Sequence, residues 1–125
     1  MILLTSQEII SIHSKLIVKT GGLDGLRDIG LLESAVASAN NAFADVEQYP
    51  TVEQKSSRLA FAIINNHSFI DGNKRIGILT MLMTLKLNNV KITYTQQELI
   101  DLGLSIADGT DKYENILEWI INHRQ

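Results

Sequence analysis

The sequence predicts an all-α fold: one domain, residues 1–125, of about six helices around a central, buried helix. Three observations predict it. Threonines followed three residues later by glutamate open two segments, and a third threonine stands just after the only proline. Between such signals the apolar residues recur three and four apart, the spacing of one helical face. A chain of 125 residues is also long enough for one hydrophobic core and too short for two.

Each element follows from local chemistry. Thr5 and Glu8 form a capping box, and Ile9, Ile12, Leu16 and Ile17 continue as an apolar stripe. Thr20-Gly21-Gly22-Leu23-Asp24-Gly25 closes that helix and forms a loop. A short helix is expected from about Ile29 to Ala39. Thr51, after Pro50, caps a third from about Val52 to Asn65, and His67 to Gly72 reads as a loop. The helix expected from Asn73 to Asn88 is apolar nearly all round, which makes it the central one; Gly77, Thr80 and Thr84 would let a neighbour approach closely. Lys91 to Thr95 is short and β-branched, a strand-like arm. Thr95 and Glu98 open a helix ending near Asp108-Gly109, and the last runs from about Asp111 to His123.

Composition narrows the function classes. Apolar residues are 45% and charged residues 20%, the mix of a folded globule. There is no cysteine, which excludes disulfides, thiolate metal sites and cysteine nucleophiles. The net charge of −3 and pI near 5.5 give no global attraction to DNA or to an anionic membrane. Met1 to Glu8 lacks the basic lead of a secretory signal, and Ile76 to Leu87 is too short and too interrupted to span a bilayer. The expected location is cytoplasmic.

One segment stands apart: His67-Ser-Phe-Ile-Asp71-Gly-Asn73-Lys-Arg75. Gly72 permits a tight turn, and Asn73 to Arg75 fall on a helix's first turn, where unpaired amides and the dipole attract an anion. Lys74 and Arg75 add two positive charges there. Asp71 is a hard oxygen ligand of the kind that holds Mg²⁺ beside nucleotide phosphates. His67 offers an imidazole, the type of side chain that can take a proton from an attacking hydroxyl. Phe69 is expected to anchor the loop in the core. Asp-Gly-Asn is equally ordinary turn chemistry, and Lys74 and Arg75 read alone as a solvated face. His13 and His123 read as structural.

These nine residues closely resemble the signature of the Fic/Doc superfamily, H-x-F-x-D/E-G-N-x-R, with the lysine before the arginine that is typical of its death-on-curing branch. Gly21 to Asp28, Leu31 to Ala35 and the Trp119-containing last helix are similar to that branch as well. The resemblance implies His67 as general base, Asp71 as Mg²⁺ ligand, Gly72 and Asn73 as the anion hole, Arg75 as the group stabilising the transferred charge, and Phe69 as packing. Lys74 departs from the usual Fic pattern, which has glycine there and transfers AMP. In the death-on-curing branch the nucleotide binds in reverse and offers its γ-phosphate.

The function so implied is the toxin of a toxin–antitoxin pair, using Mg-ATP to phosphorylate a Ser/Thr hydroxyl of elongation factor Tu and halt translation. The implied partner is an antitoxin whose disordered tail folds over the active-site groove. Gly21, Gly22 and Arg27 would form a flap that docks the protein substrate, or a plain interhelical loop. Thr110 with Glu114 and Asn115 matches the Fic autoinhibitory pattern, in which a glutamate pairs with the motif arginine; Glu114 equally suits a helix's first turn. The competing readings are AMP transfer to a protein hydroxyl and a non-enzymatic helical binding module.

Overall fold

Threonine caps start three of the helices in the computed structural model, which describes residues 1–125. The order is α1 (Ser6–Thr20), α2 (Ile29–Ala39), β1 (Ala42–Phe43), β2 (Val46–Glu47), α3 (Val52–Asn66), α4 (Asn73–Leu87), α5 (Gln96–Ala107) and α6 (Tyr113–His123). Both predicted capping boxes form, and Thr51 with Gln54 makes another. The fold is all-α, as expected.

The core has two halves joined by α3 and α4. Ile9, Leu32, Ala35, Leu59, Ile63, Phe69 and Ile76 fill one, between α1, α2, α3 and the loop before α4. Ile64, Met81, Leu85, Leu102, Ile106, Ile116 and Ile120 fill the other, against α5 and α6. Burying each of these side chains, Ala35 apart, contributes about 1.5–3 kcal/mol, so every helix is tied to one half or the other. The central role is shared: α3 touches α2, α4, α5 and α6, while α4 touches α3, α5 and α1. Gly77 is where the pair closes up. A Cβ there would stand 2.5 Å from Ile64 Cγ1 and 3.4 Å from the Ala60 carbonyl oxygen.

One feature differs from the sequence reading, and one expected feature finds its partner. Ala42 to Glu47 forms a small antiparallel hairpin whose turn residues, Ala44 and Asp45, both have positive φ. That is a mirror-type hairpin turn without the Asn-Gly or Asp-Gly that usually announces one. The Lys91–Thr95 arm is strand-like through the far end of the chain: Ile92 bridges Arg124, and the Thr93 amide donates to the His123 carbonyl. No helix is long and apolar enough to cross a membrane.

Candidate active site

The motif occupies the turn from α3 into α4. His67 is the C-cap of α3 in the left-handed region, φ 52° and ψ 49°, a conformation costing a non-glycine residue about 1–2 kcal/mol. Contacts from loop 21–28 hold it there. The Arg27 guanidinium donates from Nε to the His67 carbonyl at 2.8 Å, and Nη2 donates to the same oxygen and to the Asn66 carbonyl. The Arg27 and Asp28 amides both donate to the Ser68 carbonyl, and the Ile70 amide donates to the Gly25 carbonyl. Loop and motif therefore pair as a short strand-like ladder, with Leu26 opposite Phe69. The His67 side chain is left exposed and makes no hydrogen bond within the protein.

Phe69 is the anchor expected, 2% exposed in the core. Asn73 locks the turn above it: its Oδ1 accepts from the Phe69 amide at 3.0 Å and its Nδ2 donates to the Phe69 carbonyl at 2.9 Å. With its side chain tied to the Phe69 backbone in this way, Asn73 presents its backbone amide to an anion at the helix end. Gly72, at φ 78°, is the N-cap of α4 and supplies no capping side chain, so the first-turn amides of Asn73, Lys74 and Arg75 keep free donors at the positive end of the helix dipole.

Charged groups ring that helix end. Asp71 accepts from the Leu23 amide at 3.1 Å and from the Gly72 amide at 2.8 Å, and its Oδ1 lies 3.6 Å from Arg75 Nη2. The two amides, then the charge of Arg75, hold its carboxyl below the usual range, so it is an anion at neutral pH. Arg75 Nη1 donates to Thr20 Oγ1 and to the Gly21 carbonyl, both at 2.7 Å. Lys74 is exposed on the same turn. His67, Asp71, Gly72, Lys74 and Arg75 line one open cleft of about 420 Å³.

The chain offers no cluster of three or more acidic or histidine ligands. Asp71 alone, ionised and about half exposed, fits Mg²⁺, which takes one or two carboxylates and completes its shell with phosphates and water.

Of the outlying candidates, Gly22 lies against the site, where a Cβ would come within 2.5 Å of Asp71 Oδ2. Arg27, though exposed, is engaged by the carbonyls of the α3 terminus. Glu114 is exposed on the first turn of α6, which packs on α3, and is not among the partners of Arg75. Three contributors escaped the sequence reading: Thr20, the Leu23 amide and His13, whose only signal was a histidine on an apolar stripe. A second, apolar cavity of about 520 Å³ opens beside the cleft between α1, α4 and α5, with Leu16, Ile78, Leu79, Leu82, Ile100 and Leu104 in its walls and Lys74 and Arg75 at its edge.

Comparison with known proteins agrees with this architecture. The profile of the Fic/DOC family matches residues 3–85. The chain is 29% identical over 106 residues to the protein kinase doc of Escherichia phage P1, covering 85% of this chain and 82% of that protein. It is 35% identical over 72 residues to a toxin Doc of Mycolicibacterium smegmatis, covering 58% of this chain and 55% of that one. A helical fold, the motif at an α3–α4 turn and these relatives together establish that the chain belongs to the Fic/DOC family.

Proposed function

We propose that this protein is the toxin of a toxin–antitoxin pair and a protein kinase, transferring the γ-phosphate of ATP to a Ser/Thr hydroxyl of elongation factor Tu. The observation that carries the reading is Lys74. It puts an ammonium on the first turn of α4, where the usual Fic glycine would leave room for an α-phosphate, while the base and the arginine line the same cleft.

The residues suit the steps required. The exposed His67 imidazole accepts the target hydroxyl's proton as the oxygen bonds to the γ-phosphorus; the bond from that phosphorus to the bridging oxygen breaks and ADP leaves. The α4 amides, Lys74 and Arg75 bear the charge that develops, with donors already in place. Thr20 and the Gly21 carbonyl hold the Arg75 guanidinium and lower its ordering cost. Asp71 would hold Mg²⁺ with the nucleotide phosphates, and the ion would supply further charge neutralisation there. The apolar cavity between α1, α4 and α5 suits the antitoxin tail, bound as an amphipathic helix next to the cleft. Loop 21–28, which carries Gly21, Gly22 and Arg27 and stands at the cleft edge, is the place for substrate docking.

The test is the intact mass of elongation factor Tu after incubation with this protein and Mg-ATP, beside a His67→Ala control. Gain of one phosphoryl group, lost in the control, is expected. Gain of an adenylyl group would overturn the kinase assignment in favour of AMP transfer, and Lys74→Gly would then leave the product unchanged. No modification of this factor would refute it as the target.

A further inference from the structure

His13 lies 58 residues before Asp71 in the chain, yet its Nε2 is 2.7 Å from the Asp71 carbonyl oxygen. The ring is 1% exposed and stacks on Phe69, with centroids 3.9 Å apart and planes 18° from parallel. Its Nδ1 faces Asp24 Oδ1 of loop 21–28 at 3.5 Å, and the neighbouring Ser14 hydroxyl donates to the same carboxylate oxygen. A carbonyl only accepts, so Nε2 carries the proton and donates. The stack fixes the ring plane and aims that donor.

The bonded carbonyl belongs to the peptide whose amide is that of Gly72. The peptide is trans, so its C=O and N–H point in opposite directions. Drawing the carbonyl inward turns the Gly72 N–H the other way, where it meets Asp71 Oδ1 at 2.8 Å, and Asp71 and Gly72 both line the cleft. Glycine tolerates either orientation of such a peptide, so nothing in Gly72 itself selects one. Contact beneath it is close: a Cβ on Gly72 would lie 3.4 Å from His13 Nε2 and 3.1 Å from Ile17 Cδ1.

We propose that His13 is a positioning residue of the active site: it locks the Asp71–Gly72 peptide so that the Gly72 amide stays bonded to the Asp71 carboxylate and holds that carboxylate in the cleft. This rests on the nucleotide-binding reading above, and the test separates the two. His13→Phe keeps the ring, the stack and the volume but removes the donor. His13→Gln places an amide N–H close to the Nε2 position.

In the free protein, the Gly72 amide resonance is expected to move or broaden in His13→Phe and to return towards the wild-type position in His13→Gln. Affinity for Mg-ADP, measured by calorimetry, is expected to fall about tenfold in His13→Phe and to stay within about twofold in His13→Gln, the scale of one hydrogen bond. An unmoved Gly72 resonance in His13→Phe overturns the proposal. So does equal impairment in the two variants, which would mark His13 as structural packing only. If wild-type protein takes up no Mg-ADP, the nucleotide reading falls, and the Gly72 resonance alone still decides the peptide lock.

Discussion

Arg27 distinguishes a residue that docks substrate from one that shapes the catalyst. Replacing it with methionine keeps a long apolar stem and removes the guanidinium that bonds the His67 and Asn66 carbonyls at the C-terminus of α3. Charge-assisted bonds of this kind contribute about 1.5–3 kcal/mol when buried, but Arg27 is exposed, and water replaces part of what is lost. A net stability loss of about 1 kcal/mol, or roughly 3–6 °C in Tm, is therefore expected. The kinetic effect is larger in kind. His67 sits in a left-handed conformation that costs about 1–2 kcal/mol, and the clamp helps to offset it. Without it the imidazole spends less time in the working geometry, and kcat is expected to fall about tenfold while KM for the protein substrate stays within about twofold. Steady-state phosphoryl transfer with the Arg27→Met variant, alongside its thermal melt, measures both. Unchanged kcat with a raised KM for the protein substrate would refute the clamp and make Arg27 a docking residue.

Other outcomes follow from the same geometry. Gly77→Ala is expected to destabilise by about 1–3 kcal/mol in denaturant titration, despite alanine's higher helix propensity of about 1 kcal/mol, because its Cβ meets Ile64 at 2.5 Å; a neutral or stabilised variant would show that α3 and α4 can part freely. Asp71→Asn should lower transfer by about 100-fold with Tm nearly unchanged, and chelation of Mg²⁺ should silence the wild type; full activity in the chelator would remove Asp71 from the metal role. The clasp between His123 and Glu98 should be pH-dependent. Its bond to Glu98 raises the His123 pKa above the ordinary 6.5, so that stabilisation is complete below 6.5 and is lost as pH climbs through the raised value. The bond to His123, with the Thr95 amide, lowers Glu98 below 4.5, so its contribution is present above 4.5 and is lost as pH falls. Exchange of the Thr93 amide, which donates to the His123 carbonyl, should be slowest between those limits relative to Glu98→Gln; parallel pH profiles for the two proteins would dismiss the clasp.

Much of the helical framework was legible because its signals are local. Thr5 with Glu8 and Thr95 with Glu98 lie one turn apart and satisfy each other's backbone without help from elsewhere. The hairpin at Ala42–Glu47 was not legible, since Ala44 and Asp45 adopt positive φ without a glycine to announce it. The same division runs through the candidate site. Spacing alone placed His67, Asp71, Lys74 and Arg75 around one helix terminus, and the cleft contains all four. It did not reveal that the Asn73 side chain is spent on the Phe69 backbone, which depends on a turn geometry composition does not encode.

By itself the sequence determined which helices form and which residues are candidates for chemistry, because capping, periodicity and a nine-residue motif act over a few residues of chain. Tertiary structure alone decided what holds that chemistry in place. Arg27 reaches a carbonyl 40 residues away and His13 one 58 residues away, and such contacts exist only once α1 and loop 21–28 have closed over the start of α4. Their energy comes from burial and directed hydrogen bonds between distant segments, quantities that no local pattern carries.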